Sequence, residues 1–319
     1  MTTAPKIISD DHIQKTNSDN HSSKTRSGFV ALIGAPNAGK STLINQLVGT
    51  KVSIVTHKVQ TTRALVRGIV IHDNAQIVLI DTPGIFRPKR RLDRAMVSTA
   101  WGGARDADIV LVLIDAQAGF NDEAKAIIES LGKIKHNKIL VLNKVDAVSR
   151  PSLLELTAKL NEKVDFIKTF MISALKGSGC DDLLDYLSSS MQEGPWFYPE
   201  DQISDMPMRQ LASEITREKL YLRLHEELPY ASTIETEIWE ERRDGSIKIH
   251  QIIYVERDSQ KKIVLGAKGQ TIKAISQAAR KELMEITEQT VHLFLFVKVS
   301  DNWGNDPERY REMGLDFSD

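Results

Sequence analysis

The stretch IGAPNAGKST (residues 33–42) fits the pattern G-x-x-x-x-G-K-[ST] of a phosphate-binding loop. The apolar run at residues 29–33 predicts a buried parallel strand leading into it. Residues 42–48 have helical spacing and are followed by Gly49, a residue suited to a helix C-cap. A strand, a glycine-containing loop and a helix in this order form the context that the motif requires. A chance glycine-rich turn is the alternative, and it accounts for neither flank.

The composition of this loop predicts how it would hold phosphate. Gly34 and Gly39 let the backbone direct N–H groups at phosphate oxygens, and the following helix adds the positive end of its dipole. Lys40 is expected to reach the β- and γ-phosphates, and Ser41 is expected to bind Mg²⁺ through its hydroxyl. The residues predicted to bind the phosphates are Gly34, Ala35, Pro36, Asn37, Ala38, Gly39, Lys40, Ser41 and Thr42.

Length and composition limit the class of protein. The chain has 319 residues, enough for two domains, and 42 Lys+Arg against 43 Asp+Glu give a net charge of −1. Any site for a polyanion must therefore be a local patch. The single cysteine, Cys180, excludes an internal disulfide and fits a reducing cytosol. No apolar run approaches the roughly 20 residues of a membrane-spanning helix, and no apolar signal segment opens the chain.

Changes in composition predict the domain boundaries. Residues 1–26 are polar and poor in large apolar side chains, which predicts a mobile tail; a targeting role is the alternative. Residues 27–193 form the predicted first domain. Residues 194–208, with one glycine and three prolines, form a predicted linker, and residues 209–319 form a second domain with a C-terminal helix.

A second motif, Asp81-Thr82-Pro83-Gly84, follows the apolar run at residues 76–80. A carboxylate at the carboxyl end of a parallel strand beside a phosphate loop is placed for contact with Mg²⁺. Gly84 leaves its N–H free to approach a γ-phosphate. Taken alone, the tetrapeptide is only a turn, but its place after a strand predicts a nucleotide-responsive switch.

Strands and helices alternate through the first domain, which predicts an α/β fold with a doubly wound, mostly parallel sheet. The loops that carry motifs each follow a strand, so they should converge on one crevice. Two more loops, Asn143-Lys-Val-Asp146 and Ser173-Ala-Leu175, belong to this set. Each of them alone is equally consistent with a solvated turn.

The residues of these two loops predict selection of guanine. The Asp146 carboxylate can accept hydrogen bonds from the ring N–H and the exocyclic amine of guanine, a pair that adenine lacks. We expect the Ala174 N–H to donate to the guanine oxygen, Asn143 to brace the loops, and the stem of Lys144 to lie along the base. The residues predicted to bind the base are Asn143, Lys144, Asp146, Ser173, Ala174 and Leu175.

Together these four motifs resemble the signature set of the translation-factor-related GTPases. The stretch Thr61-Thr62-Arg63 resembles the effector loop of the subgroup that contains the Era family. The resemblance implies GTP and GDP as ligands, and Mg²⁺ held by Ser41, Thr62 and Asp81. It implies catalytic roles for Lys40, Asn37, Thr62 and Gly84. Thr61 is the alternative to Thr62, because the register of the loop is not fixed by the sequence.

Two residues bear on the rate of hydrolysis. Ile85 occupies the position at which Ras-like GTPases carry the glutamine that orients water, which predicts slow intrinsic turnover. Asn37 occupies the position that helps hold K⁺ against the phosphates in similar GTPases, where the ion would neutralise transition-state charge. The alternative is that Asn37 only braces the loop.

A basic cluster, Arg-Pro-Lys-Arg-Arg at residues 87–91, follows the second motif. It is either a solvated loop or a polyanion contact whose position depends on the nucleotide.

The order of elements after the linker is helix, strand, strand, Gly-x-x-Gly, helix, strand, and it resembles a smaller α+β domain, the type II KH domain. In that fold the glycine loop clamps about four unpaired nucleotides. The alternative is a plain surface turn. Trp303 is expected to anchor the packing of the last helix. The residues predicted to bind RNA are Gly266, Ala267, Lys268, Gly269 and Lys273, with further basic residues nearby at Lys261, Lys262, Arg280 and Lys281.

A GTPase domain followed by a KH domain resembles the Era family, and the resemblance covers nearly everything after the N-terminal tail. It implies a monomeric, cytoplasmic GTPase of ribosome assembly that binds the 3′ end of 16S ribosomal RNA and the pre-30S subunit. It also implies peripheral contact with the cytoplasmic face of the inner membrane. The competing interpretation is an RNA-binding module in which the bound nucleotide is only structural.

Overall fold

The computed structural model describes residues 24–317, and the predicted tail lies almost wholly outside them. The first strand begins at Arg26, so the tail prediction included one residue of the sheet. The strands of the first domain are β1 (Arg26–Gly34), β2 (Val66–His72), β3 (Ala75–Asp81), β4 (Ile109–Asp115), β5 (Asn137–Asn143), β6 (Lys168–Met171) and β7 (Gln192–Glu193). Its helices are α1 (Lys40–Val48), α2 (Arg91–Asp106), α3 (Asp122–Ser130), α4 (Arg150–Asn161) and α5 (Cys180–Ser190).

The sheet of this domain has the strand order β2-β3-β1-β4-β5-β6, with β7 paired to the start of β1. The pairs β1–β3, β1–β4, β4–β5 and β5–β6 are parallel, and β2 is an antiparallel edge strand. This arrangement confirms the predicted doubly wound, mostly parallel fold. It brings the carboxyl ends of the central strands to one edge, where ligands bind in folds of this kind.

Helices cover both faces of the sheet. On one face, α1 and α5 bury Leu43, Ile44 and Leu187 against the strands. On the other face, α2, α3 and α4 bury residues such as Ala104 and Ile127. Strands buried on both faces must be apolar throughout, which explains the unbroken apolar runs of the sequence.

The second domain contains α6 (Met208–Arg223), β8 (Ser232–Glu241), β9 (Ile247–Val255), α7 (Asp258–Leu265), α8 (Gln270–Thr287), β10 (Val291–Val299) and α9 (Pro307–Glu312). Its sheet has the order β10-β9-β8, in which β9 is antiparallel to β8 and parallel to β10. Helices α6 and α8 pack on this sheet. The helix α6 ends at Arg223, because Leu224 turns to an extended conformation.

The predicted linker lies on the first domain. The N–H groups of Phe197 and Tyr198 donate to the side chain of Gln76, and Ile69 donates to the carbonyl of Ile203. Trp303 is 2% exposed and packs with Met96 of α2, so it anchors the C-terminal segment across both domains. No helix within residues 24–317 is both long and apolar enough to cross a membrane.

The single cysteine lies at the start of α5. Cys180 is buried, and burial, with a smaller contribution from Asp181, raises the pKa of its thiol to about 11. The thiol therefore stays protonated at neutral pH, as expected for a structural cysteine.

Candidate functional site

The phosphate loop lies between the end of β1 and the start of α1. Gly39 has a φ of +97°, and a Cβ there would stand 2.1 Å from the side-chain nitrogen of Asn143. A Cβ on Gly34 would stand 2.5 Å from the carbonyl oxygen of Leu113. Both glycines are therefore required by close packing of the loop against neighbouring strands. Residues of this loop and of the segment at 54–62 line a cleft of about 540 Å³.

Lys40 is buried at the base of this cleft. Its ammonium donates to the carbonyls of Gly34 at 3.1 Å and Ala35 at 3.0 Å. Burial lowers the pKa of Lys40 to about 8, against the opposing influence of Asp81. A phosphate would supply the negative charge that a buried ammonium favours.

Four oxygen-bearing side chains meet beside Lys40. Ser41 donates to Asp81 at 2.6 Å, Ser53 donates to the same carboxylate oxygen at 2.7 Å, and Thr62 donates to it at 3.2 Å. The hydroxyls of Ser41 and Thr62 are 2.9 Å apart. Burial raises the pKa of Asp81, opposed mainly by Lys40.

This group of oxygens fits Mg²⁺. The second carboxylate oxygen of Asp81 is buried and has no hydrogen-bond partner within residues 24–317. Hydroxyl and carboxylate oxygens suit a hard cation, which usually keeps water and phosphate oxygens as its remaining ligands. The described part of the chain holds no cluster of three His, Cys, Asp or Glu side chains that could bind a metal ion. A magnesium ion here would therefore depend on the nucleotide phosphates.

The two threonines of the effector loop face different ways. Thr62 is 7% exposed and contacts Ser41 and Asp81, whereas the Thr61 hydroxyl bonds to the Thr56 hydroxyl and the Lys58 carbonyl. This geometry supports Thr62 rather than Thr61 as the residue that would close on Mg²⁺.

The motif at residues 81–84 meets the phosphate loop directly. A Cβ on Gly84 would stand 2.9 Å from atoms of Pro36, and the N–H of Ile85 donates to the Gly34 carbonyl at 3.0 Å. The Thr82 hydroxyl points away from the cleft and donates to the carbonyl of Leu32 at 2.6 Å. Ile85 is buried among the side chains of the second face of the sheet, so its position offers no polar group to a water molecule.

The base-binding loops are held together by Asn143. Its side-chain nitrogen donates to the Ala38 carbonyl at 2.8 Å, and its side-chain oxygen accepts from the N–H of Ala174 at 2.9 Å. The predicted bracing role of Asn143 thus has a geometric basis. The Ala174 N–H, which the sequence assigned to the guanine oxygen, is engaged within the protein in this structure. The Leu175 side chain is 82% exposed at the rim of the cleft.

Lys144 and Asp146 are fixed by further ion pairs. Lys144 has a φ of +64° and donates to Asp115 at 2.6 Å. Asp146 lies 3.0 Å from the ammonium of Lys176, and hydrogen bonds from Lys176 and Ser173 lower its pKa. Asp146 is therefore an ionised acceptor, as recognition of two guanine N–H groups requires.

The glycine loop of the second domain begins α8. Gly266 and Gly269 have φ values of +74° and +76°, and a Cβ on Gly266 would stand 2.1 Å from the Thr271 hydroxyl. Lys268, between them, is exposed and has no ion pair within residues 24–317. Lys273 is exposed one turn into α8. The loop thus presents a free cation on a tight backbone turn, as a phosphate contact needs.

Contacts between the domains converge on residues 54–63, which we refer to as the effector loop. The sequence did not indicate these contacts. Arg63 is 4% exposed and donates to the Tyr221 hydroxyl at 2.8 Å and to the Ser232 carbonyl at 3.0 Å. Arg217 donates to the Thr61 carbonyl at 2.6 Å, and Glu218 accepts from the Val55 N–H at 2.9 Å. Helix α6 therefore holds the loop that also carries Thr62.

Comparison with known proteins identifies the family. Residues 29–144 match the family described as "50S ribosome-binding GTPase", and residues 227–304 match the KH domain family. A protein of Brucella suis biovar 1 (strain 1330) named GTPase Era is 76% identical over 299 residues, which cover 94% of this chain and 96% of that protein. The chain belongs to the Era family of GTPases. An Era protein of Agrobacterium fabrum (strain C58) is 67% identical over 311 residues, covering 98% of both chains.

A solved Era structure shares the two-domain fold. It is an Era protein in complex with MgGDPNP and nucleotides 1506–1542 of 16S ribosomal RNA. It is 38% identical to this chain, with a TM-score of 0.86, and the match covers 91% of this chain and 99% of that one. The predicted Era resemblance, the GTPase activity and the fold of a GTPase domain followed by a KH domain are thereby confirmed.

Proposed function

We propose that this GTPase is a switch in which GTP closes the effector loop and thereby controls binding of the 3′ end of 16S ribosomal RNA during assembly of the 30S subunit. The proposal rests on the contacts of two neighbouring residues in the effector loop. The adjacent residues Thr62 and Arg63 contact different partners: Thr62 contacts the candidate Mg²⁺ site, and Arg63 contacts the KH domain. Movement of one residue must therefore displace the other.

The nucleotide roles follow from the contacts of the cleft. The loop at residues 34–42 would hold the phosphates, with Lys40 as the main cation. Ser41 and Thr62 would ligate Mg²⁺, and Asp81 would lie next to both hydroxyls and add its negative charge to the site. Asp146 would select guanine, and Gly84 would approach the γ-phosphate through its N–H.

The proposed RNA partner is supported by the relative that was solved with nucleotides 1506–1542 of 16S ribosomal RNA. In this chain the exposed Lys268 and the two glycines of the loop would take the RNA backbone. The reaction would proceed with RNA bound in the GTP state and released after hydrolysis. We infer that the protein acts as a monomer in the cytoplasm, and that any membrane association is peripheral.

Potassium is proposed as the ion that supports hydrolysis, because Ile85 supplies no polar group for water. The side-chain nitrogen of Asn37 donates to the His57 carbonyl at 3.0 Å, which is the bracing contact of the alternative interpretation. Its side-chain oxygen has no hydrogen bond within residues 24–317 and is free to bind an ion. Equal turnover numbers in Na⁺ and K⁺ would leave only the bracing role.

The switch is tested by release of labelled RNA from the GTP-bound protein. In the unmodified protein, release should accelerate as GTP is hydrolysed. In Lys40→Ala the release rate should not respond to nucleotide. If both proteins release RNA at the same rate, the protein is a constitutive RNA-binding module. Lys268→Gln should weaken RNA binding in every nucleotide state and leave hydrolysis without RNA unchanged, while Lys163→Gln, a distant exposed cation, should change neither.

A further inference from the structure

A concentration of exposed positive charge follows the motif at residues 81–84. Residues 87–90, Arg-Pro-Lys-Arg, are all exposed, and we refer to them as the cationic loop. The side chains of Arg87 and Lys89 make no hydrogen bond or ion pair with the described part of the chain. Arg90 reaches Glu227 at 3.5 Å, with both side chains at least half exposed. The charges of Arg87 and Lys89 therefore have no ionic partner within residues 24–317, in a chain whose net charge is −1.

The backbone of the cationic loop is fixed by one buried carboxylate. Asp93 is 5% exposed, and one of its oxygens accepts from the N–H groups of Lys89 and Arg90, both at 3.0 Å. Its other oxygen accepts from the side-chain nitrogen of Gln60 at 3.1 Å. Gln60 immediately precedes the two threonines of the effector loop. The cationic loop and the effector loop are therefore tied to the same side chain.

The position of the cationic loop is at the boundary of the two domains. Arg90 contacts Glu227, which lies between α6 and β8 of the KH domain. Behind the loop, Leu92 and Met96 of α2 pack on Trp303 of the C-terminal segment. A polymer bound to the KH domain could thus pass this loop without leaving the surface of the protein.

The side chains of the cationic loop suit phosphodiester groups. Guanidinium groups bind phosphate oxygens in a bidentate manner, and lysine adds a point charge. Near it, Phe86, Leu92 and Met96 are half-buried or buried, and the one exposed large apolar side chain seen beside it within residues 24–317 is Phe317, which lies against Arg91. A membrane-binding segment would normally add exposed apolar side chains to its cations. These features favour the backbone of RNA over a lipid surface.

We propose that the cationic loop is a second contact for the RNA backbone, placed on the GTPase domain and available when the effector loop is closed. The inference rests on the proposed RNA-binding function. A KH clamp holds only about four nucleotides, so a longer RNA continues beyond it with phosphates free to be bound. The tie through Asp93 and Gln60 makes this contact dependent on the nucleotide.

The test compares two charge-matched double variants, Arg87→Gln/Lys89→Gln and Lys135→Gln/Lys163→Gln. The second pair removes two exposed cations elsewhere on the GTPase domain. Binding of RNA nucleotides 1506–1542 is measured across a salt series with a non-hydrolysable GTP analogue and with GDP. With the analogue, we expect the first variant to bind roughly tenfold more weakly and its log–log salt slope to fall by about 1.4, near 0.7 for each lost phosphate contact. With GDP the loss should be smaller, and the second pair should match the unmodified protein.

The tie to the effector loop is tested with Gln60→Asn. Asparagine tolerates the φ of +57° at this position, but its shorter side chain does not reach Asp93. This variant should lose the difference between GTP analogue and GDP in the contribution of the cationic loop.

Three results separate the possible failures. Absence of RNA binding by the unmodified protein, or no effect of Lys268→Gln, would contradict the proposed function itself. Normal RNA affinity and salt slope in Arg87→Gln/Lys89→Gln, with Lys268→Gln impaired, would overturn only the second contact. Loss of binding to vesicles of anionic phospholipid, with RNA binding intact, would assign the loop to a membrane. Hydrolysis of GTP without RNA should be unchanged in Arg87→Gln/Lys89→Gln, and this result would show that the double variant folds.

Discussion

The guanidinium of Arg63 donates a hydrogen bond of 2.8 Å to the phenol oxygen of Tyr221, across the boundary between the two domains. The same guanidinium lies 5.7 Å from the centre of the Trp303 ring, which is within the range of a cation–π contact. Arg63 follows Thr62 directly, so the candidate Mg²⁺ site and the KH domain are joined by one peptide bond.

Arg63→Lys should uncouple the nucleotide site from the KH domain. Lysine keeps the charge but cannot bond to both Tyr221 and Ser232 in the geometry of the guanidinium. The ratio of RNA dissociation constants in GDP and in GTP analogue should fall toward one. Arg67→Lys is the control, because Arg67 is more exposed and pairs with Asp205 of the linker rather than with a residue of the KH domain. An unchanged ratio in Arg63→Lys would show that the contact does not transmit the nucleotide state.

Thr62→Ala and Thr61→Ala should behave differently. Removing the Thr62 hydroxyl deletes a proposed Mg²⁺ ligand, and the turnover number for GTP should fall by about 10–100-fold with a weaker dependence on Mg²⁺. Thr61→Ala keeps the carbonyl that Arg217 binds and should stay within about threefold of the unmodified protein. The reverse order of the two effects would assign the role to Thr61.

Asp146→Asn should change the base that the protein accepts. Asparagine replaces one acceptor with a donor, so guanine loses a hydrogen bond and meets an opposing N–H group. GTP affinity should fall by about 100-fold or more, and xanthosine triphosphate, which carries an oxygen at that position, should bind better than GTP. Asp165→Asn, an exposed residue of the same domain, should leave both affinities unchanged.

Glu218 should stabilise the docked effector loop in a pH-dependent manner. Burial alone would raise its pKa, but hydrogen bonds from Lys219, Lys51 and the Val55 N–H bring it below the ordinary value of 4.5. As the pH falls, the unfolded chain takes up a proton at Glu218 at a higher pH than the folded protein does. Falling pH therefore favours the unfolded state. The stabilisation is therefore complete above pH 4.5 and is lost as the pH falls through the folded pKa.

The measurement is the difference in melting temperature between the unmodified protein and Glu218→Gln. We expect the unmodified protein to melt about 2–4 °C higher than Glu218→Gln at neutral pH. This difference in melting temperature should narrow below pH 4.5. Glu285→Gln is the control, because Glu285 is mostly exposed and its ion pair with Lys281 is long, at 3.8 Å. A difference that stays constant into acid would contradict the assignment to the charged form of Glu218.

Motif spacing and strand periodicity predicted the sheet, the phosphate loop and the glycine loop from the sequence, because each depends on residues close together in the chain. The contacts of Arg63, Arg217 and Glu218 could not be predicted in this way. The charged positions of α6 look like an ordinary solvated face, and nothing local identifies a partner in a distant loop. The hydrogen bond from Ala174 to Asn143 was missed for the same reason, since it joins two loops from different strands.

The coupling between the nucleotide site and the RNA site is tested most directly by measuring it in both directions. The dissociation constant for RNA nucleotides 1506–1542 is measured with GDP and with a non-hydrolysable GTP analogue, and the dissociation constants of the two nucleotides are measured with and without that RNA. The analogue should tighten RNA binding relative to GDP by about 5–150-fold, and RNA should favour the analogue over GDP by the same factor. Equal RNA affinity in the two nucleotide states would show that the nucleotide does not control RNA binding.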